Sequence, residues 1–142
     1  MLLDFHWRGS LKIYKMELEH IALSISDHQE VEKFYTNILG MKQIKNFVLR
    51  KSLAANIFDI NKEITVFLLQ KDKVVFEIFI TTGNRKQAFD HVCISIKNRE
   101  NFINKVLLNG YQVIRIEREI FDLIFVKDKD KNIFEIKEMY NV

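Results

Sequence analysis

Two histidines and two glutamates stand at repeated positions of the chain. Glu19-His20-Ile21-Ala22-Leu23-Ser24-Ile25 is answered 71 positions later by Asp90-His91-Val92-Cys93-Ile94-Ser95-Ile96, pairing acid with acid, His with His, apolar with apolar and Ser with Ser. Each copy later reaches Phe-Glu-Ile, at Phe76-Glu77-Ile78 and at Phe134-Glu135-Ile136. If the two copies pair by pseudo-twofold symmetry, His20, Glu77, His91 and Glu135 converge on one point. Two imidazoles and two carboxylates make a divalent-metal donor set: imidazole suits zinc, nickel or iron, and the carboxylates harden the site and offer groups able to act as bases. A single His or Glu on a strand is ordinarily a satisfied structural residue. Recurrence of both types at equivalent positions points to ligands instead. Each Glu is also flanked by apolar residues, in VVFEIFI and NIFEIKE, where an unpartnered carboxylate is costly to bury.

The elements that must position these residues also occur twice. A fixed internal period means one supersecondary unit used twice. In the first copy, frequent apolar and β-branched residues predict a strand over 17–25, with His20, Ala22 and Ser24 on one face. Ser26 or Asp27 caps a helix whose apolar positions are Val31, Phe34, Tyr35, Ile38 and Leu39, ending at Gly40. Strands follow over 41–49, 64–69 and 74–80, the last two joined by a turn at Gln70-Lys71-Asp72-Lys73. After the turn-rich Thr81-Thr82-Gly83-Asn84, the order repeats: a strand over 90–96, Asn98 as cap, a helix over 99–109, and strands over 111–118, 121–127 and 132–138. The pattern predicts an α+β fold of two βαβββ modules, about 16–82 and 88–142, in one domain behind an extension over 1–15. His and Glu are 57 positions apart in the first copy and 44 in the second, and most of the difference falls in residues 50–63. That stretch reads as a mobile loop covering the site, with Leu53, Ile57 and Phe58 available to a ligand.

Composition narrows the class. The 142 residues, 48% hydrophobic, suit one compact domain, and four Gly with no Pro leave nothing that reads as a linker. Net charge is +3, with cations and anions interleaved, so a nucleic-acid surface is not expected. A small anionic substrate is compatible, and Arg50, Lys51, Arg115 and Arg118 are available to hold one. One Cys makes no internal disulfide, and Asp4 and Arg8 interrupt the only apolar start, so no secretory signal is expected and the compartment reads as cytoplasmic. Cys93 reads as a small core hydrophobe. Asp128-Lys129-Asp130-Lys131-Asn132 imitates the start of an EF-hand, but Ile133 and Met139 occupy that motif's sixth and twelfth places, so the segment reads as a hairpin turn.

Over 16–138 the sequence resembles the vicinal-oxygen-chelate superfamily of glyoxalases, epimerases, extradiol dioxygenases and bleomycin or fosfomycin resistance proteins. The resemblance lies in LEHIALSISD followed by EKFYTNILGMK, in FDHVCISI, and in FVKDKDKNIFEIKE, where Lys129 and Lys131 replace the motif's usual Pro and Gly. It implies paired βαβββ modules cupped around one divalent ion (nickel, zinc, cobalt, manganese or iron) held by His20, Glu77, His91 and Glu135. A carboxylate at position 77, where epimerases place Gln, favours glyoxalase-like chemistry. The metal would stabilise an enediolate, and Glu77 or Glu135 would carry the proton. Ser24 and Thr81 stand where glutathione-using members carry Arg and Asn, which speaks against glutathione. The resemblance also implies a homodimer acting on a small molecule. Its alternatives are a ligand-sequestering protein of bleomycin-resistance type and a metal-dependent antibiotic-resistance enzyme.

Overall fold

A computed structural model describes residues 16–82 and 88–140. The extension over 1–15 and the end of the 81–84 turn lie outside the described residues. The first module runs β1 (Ile21–Ile25), α1 (Val31–Thr36), β2 (Lys42–Leu49), α2 (Lys51–Phe58), β3 (Ile64–Lys71) and β4 (Val74–Ile80). The second runs β5 (Val92–Ile96), α3 (Arg99–Leu108), β6 (Gln112–Ile116), β7 (Leu123–Lys127) and β8 (Ile133–Glu138). Each module forms a four-stranded mixed sheet, ordered β1-β4-β3-β2 and β5-β8-β7-β6. The first strand of each module lies parallel to its last, and the other neighbours are antiparallel. The fold is therefore the α+β pair of modules that the repeat predicts.

Strand alternation decides which face is buried. Phe76 and Ile78, together with Phe134 and Ile136, point inward to a single core that also takes Phe34 and Tyr35 of α1 and Phe102, Ile103 and Val106 of α3. Aromatic rings from both modules meet there: Phe34 and Phe134 centroids are 5.5 Å apart, and Phe76 and Phe134 centroids 6.1 Å apart. Fully burying each such side chain stabilises by roughly 1.5–3 kcal/mol. The two sheets thus turn their inner faces to one shared core, and period-2 alternation sends Glu77 and Glu135 to the outer faces.

A polar latch ties the turn after β1 to the β7–β8 turn. Tyr35 donates its hydroxyl to Asp128 Oδ2 at 2.8 Å, Ser26 donates to Asp130 Oδ1 at 2.6 Å, and Asn132 Nδ2 donates to the Ser24 carbonyl at 2.9 Å. Buried Glu30 accepts from the Tyr111 hydroxyl and, at 2.8 Å, from the Lys129 amide. The hairpin reading of Asp128–Asn132 holds. Asp128 organises it by accepting the Asp130 and Asn132 amides at 3.0 and 2.8 Å. Lys131 takes the left-handed conformation, φ 70°, that Gly would adopt more cheaply, and strand β8 follows intact.

Several sequence expectations need correction. Residues 50–63 contain helix α2 and are not simply a loop; Leu53, Ala54, Ile57 and Phe58 fall on adjacent helical positions, Ala54 is fully buried, and Phe58 meets Phe79 at 5.7 Å. The first helix is a wide turn with i→i+5 hydrogen bonds, Asn37 N to Glu32 O and Leu39 N to Phe34 O. Asp27 does cap its approach, accepting the Gln29 amide at 2.9 Å. Asn98 occupies the cap position of α3 but makes no side-chain cap bond. The carboxylate of Glu138 accepts the Arg99 amide in its place. Strand β1 begins at Ile21, so His20 sits just ahead of it, as His91 sits just ahead of β5.

Candidate metal centre

Parallel pairing sets each histidine over its glutamate. Ala22 is in register with Glu77 and Cys93 with Glu135, so the His two residues earlier along the chain, just ahead of each strand, lies on the same face as the Glu. His20 Nε2 stands 3.3 Å from Glu77 Oε1, and His91 Nε2 stands 3.5 Å from Glu135 Oε2. Exposure also matches: the side chains are 46% and 20% accessible in the first pair, 43% and 18% in the second. The repeated sequence has produced a repeated half-site.

The second pair shows how its imidazole is oriented. His91 Nδ1 lies 2.9 Å from the Phe89 carbonyl, which can only accept, so Nδ1 is the donor and the ring turns Nε2 toward Glu135 on the outer face. The edge of the Phe125 ring supports the imidazole, with centroids 6.3 Å apart. A backbone carbonyl on one ring nitrogen is the kind of contact that fixes a histidine with its other nitrogen outward.

The four residues do not gather within one chain. Among the described residues no three His, Cys, Asp or Glu side chains come together as a set able to hold an ion. The cause is the shared core: Phe76, Ile78, Phe134 and Ile136 bind the sheets by their inner faces, which leaves the two His–Glu pairs on separate outer faces. Cys93, expected in the core, is exposed on the outer face. Partial burial and the neighbouring Glu135 carboxylate push its thiol pKa up.

One residue beside the site, Lys137, falls outside those the sequence analysis names. Lys137 follows Glu135 by two residues on the same face, and it lines a cavity with Glu135, Arg118 and Arg99. Strand alternation was the signal that would have found it. Arg115, named with Arg118 as an anion-holding residue, is instead engaged by Glu100 at 2.7 Å and Asp122 at 3.2 Å. Arg50 and Lys51 lie at the start of α2, on the first module.

No helix among the described residues is long and apolar enough to cross a membrane. A search of curated protein sequences finds no match. Among solved structures, the chain is similar to a glyoxalase family protein from Enterococcus faecalis, with 21% identity, TM-score 0.69, and 89% of this chain and 99% of that one covered. It is similar to the fosfomycin resistance protein FosX from Listeria monocytogenes, a mutant form solved with Mn(II) and 1S,2S-dihydroxypropylphosphonic acid, with 16% identity, TM-score 0.70, and 89% and 95% covered. The trypanothione-dependent glyoxalase I of Leishmania major matches with 19% identity and TM-score 0.67, over 87% of each chain. These likenesses establish the fold, and the family model matching residues 17–136 establishes the membership: the chain belongs to the Glyoxalase/Bleomycin resistance protein/Dioxygenase superfamily.

Proposed function

We propose that the protein is a divalent-metal-dependent lyase or isomerase acting on a small oxygenated metabolite, with its centre completed between two copies of the chain. The observation that carries this reading is the duplication of one geometry: an imidazole Nε2 within 3.3–3.5 Å of a partly exposed carboxylate, on the outer face of each module. A catalytic divalent ion of this donor type takes three or four protein ligands. Each module supplies two. Setting module one of one copy against module two of another assembles His20, Glu77, His91 and Glu135 into a full set, twice per dimer. Apolar residues exposed along the outer faces support such pairing, among them Phe47, Leu53, Ile57 and Phe58 in module one and Ile116 and Phe121 in module two.

The donor chemistry fits nickel, zinc, cobalt, manganese or iron, and a bound ion would supply Lewis acidity to vicinal oxygens of the substrate. The chain's own residues do the rest. Neutral imidazoles hold without adding charge, and Glu77 or Glu135 accepts the substrate proton and returns it to the neighbouring carbon. The unbridged thiol of Cys93 fits a reducing compartment, and we place the protein in the cytoplasm.

Reconstitution with nickel, zinc, cobalt or manganese, metal analysis and a hemithioacetal isomerisation assay test the reading. It predicts one ion per chain, a melting temperature lowered by chelator, and isomerisation that depends on the ion. A protein that holds no ion after reconstitution contradicts it. Ligand affinity unmoved by Glu77→Gln would instead mark a sequestering protein without chemistry.

A further inference from the structure

Beside Glu135 the second module carries a small cavity of about 240 Å³, lined by Arg99, Arg118, Phe121, Glu135, Lys137 and Tyr140 among others. Its charges are unevenly spent. Asp122 is engaged by the Arg115 guanidinium at 3.2 Å and the Arg118 amide at 3.3 Å. Glu138 accepts the backbone amides of Arg99 and Met139. Arg99 Nη1 donates to the Asp122 and Ile136 carbonyls at 3.2 and 3.3 Å, which fixes its side chain in the wall. Arg118 uses only Nε, on the Phe121 carbonyl at 3.3 Å. Neither the Arg118 guanidinium nor the Lys137 ammonium meets a carboxylate partner among the described residues.

We propose that Arg118 and Lys137 form an oxyanion subsite that holds the carboxylate, phosphonate or phosphate end of a small substrate beside Glu135. The free edge of a guanidinium presents paired donors that match an oxyanion, and an ammonium adds an adjustable point charge. Lys137 sits in register with Ser95, two residues beyond Glu135, which puts its ammonium on the face of the proposed centre. Exposed Phe121 and Tyr140, with ring centroids 6.1 Å apart, give the cavity an apolar side where charge interactions are less screened than in open water. Pockets for drug-sized ligands span roughly 300–1,000 Å³. At about 240 Å³ this cavity suits a short acid and not a tripeptide.

The inference rests on the proposed function for the role of Glu135, and its test is separate. Inorganic phosphate, methylphosphonate and acetate are titrated calorimetrically into full-length protein stripped of metal, for the parent, Arg118→Gln, Lys137→Met, the double variant, and Lys105→Gln as an exposed cation away from the cavity. Saturable binding of at least one anion is expected, weakened about tenfold by each single variant, the loss of one charge-assisted contact, and unchanged by Lys105→Gln. Preference for phosphate and methylphosphonate assigns a tetrahedral group, and preference for acetate assigns a carboxylate. Thermal unfolding verifies that the variants fold, and Arg118→Lys, which keeps the charge, should recover part of the affinity. Equal binding by parent and double variant, equal weakening by Lys105→Gln, or no saturable binding overturns the subsite. Metal content measured on the same variants reports on the proposed function alone.

Discussion

The two modules carry nearly the same half-site beneath different cover. His20 with Glu77 and His91 with Glu135 agree to within 0.2 Å in separation and a few per cent in exposure. Beyond the pairs the modules diverge. Module one adds α2 on its outer face, where Ala54, Ile64 and Val66 are buried outside the shared core and Phe58 packs on Phe79. Module two has only the short 117–122 connection there, and the space holds the cavity of Arg118 and Lys137. Duplication has kept the two His–Glu pairs and let their surroundings change.

The largest effects should come from the repeated residues, and they should ignore which module is changed. His20→Ala, Glu77→Gln, His91→Ala and Glu135→Gln are each expected to weaken metal binding by more than the roughly 10–100-fold that loss of an outer-shell partner costs. Because the four would act as one constellation, double variants should lose little more than singles. Metal titration of the set checks this, and retention of metal by variants of one module alone would break the equivalence.

The counterpart phenylalanines probe the shared core. Phe76→Ala and Phe134→Ala should each cost about 3–5 kcal/mol by denaturant unfolding. Their rings touch across the modules at 6.1 Å, so the double variant should depart from additivity. Strict additivity would mean that the modules are stabilised independently.

The latch should respond more modestly. Tyr35→Phe removes a buried donor from Asp128, an expected loss of about 1–3 kcal/mol. Burial raises the Asp128 pKa, with Asp130 adding to the rise, against the bonds from Asn132 and Tyr35 that lower it. A raised carboxyl contributes stability that is fully present below the unfolded value of about 3.9 and lost as pH rises through the folded value. The parent should therefore gain on Asp128→Asn as pH falls from neutrality toward that value. Melting curves over this range, moving in the opposite sense, would show that Asp128 is not held as described.

The smallest contrast lies at the equivalent glycines. Gly40 and Gly110 have φ of +74° and +78°, so Ala should cost about 1 kcal/mol at either. An added Cβ at Gly40 would also come within 2.9 Å of Lys71 Nζ, which donates to the Leu39 carbonyl, whereas Gly110 faces open space. Gly40→Ala should be slightly the worse by melting temperature.

Much of this was legible in the chain because period-2 and repeat signals are local. The His-x-apolar-x-Ser pattern placed His20 and His91 correctly with respect to Ala22 and Cys93, and the Phe-Glu-Ile triplets placed both glutamates on strands. The direction each sheet faces was not legible. Val75 and Phe79 flank Glu77 on one face and Phe76 and Ile78 on the other, so either face was apolar enough to be the core. Packing between modules decided it, and with it the separation of the two pairs. Helix α2 was hidden because Arg50 offers no capping side chain and Asp59, not Gly, takes the left-handed end at φ 58°. Cys93 was misplaced because its neighbours Val92 and Ile94 are apolar while its own side is the open one.

Whether one metal centre draws its halves from two chains is decided by complementation. Glu77→Gln and Glu135→Gln proteins, each inactive toward metal alone, are unfolded together, refolded as a mixture and assayed for bound ion. If sites form across a twofold dimer, random mixing leaves about a quarter of them with both halves intact, and that fraction of metal binding should return. A mixture that stays as empty as its components would contradict the account.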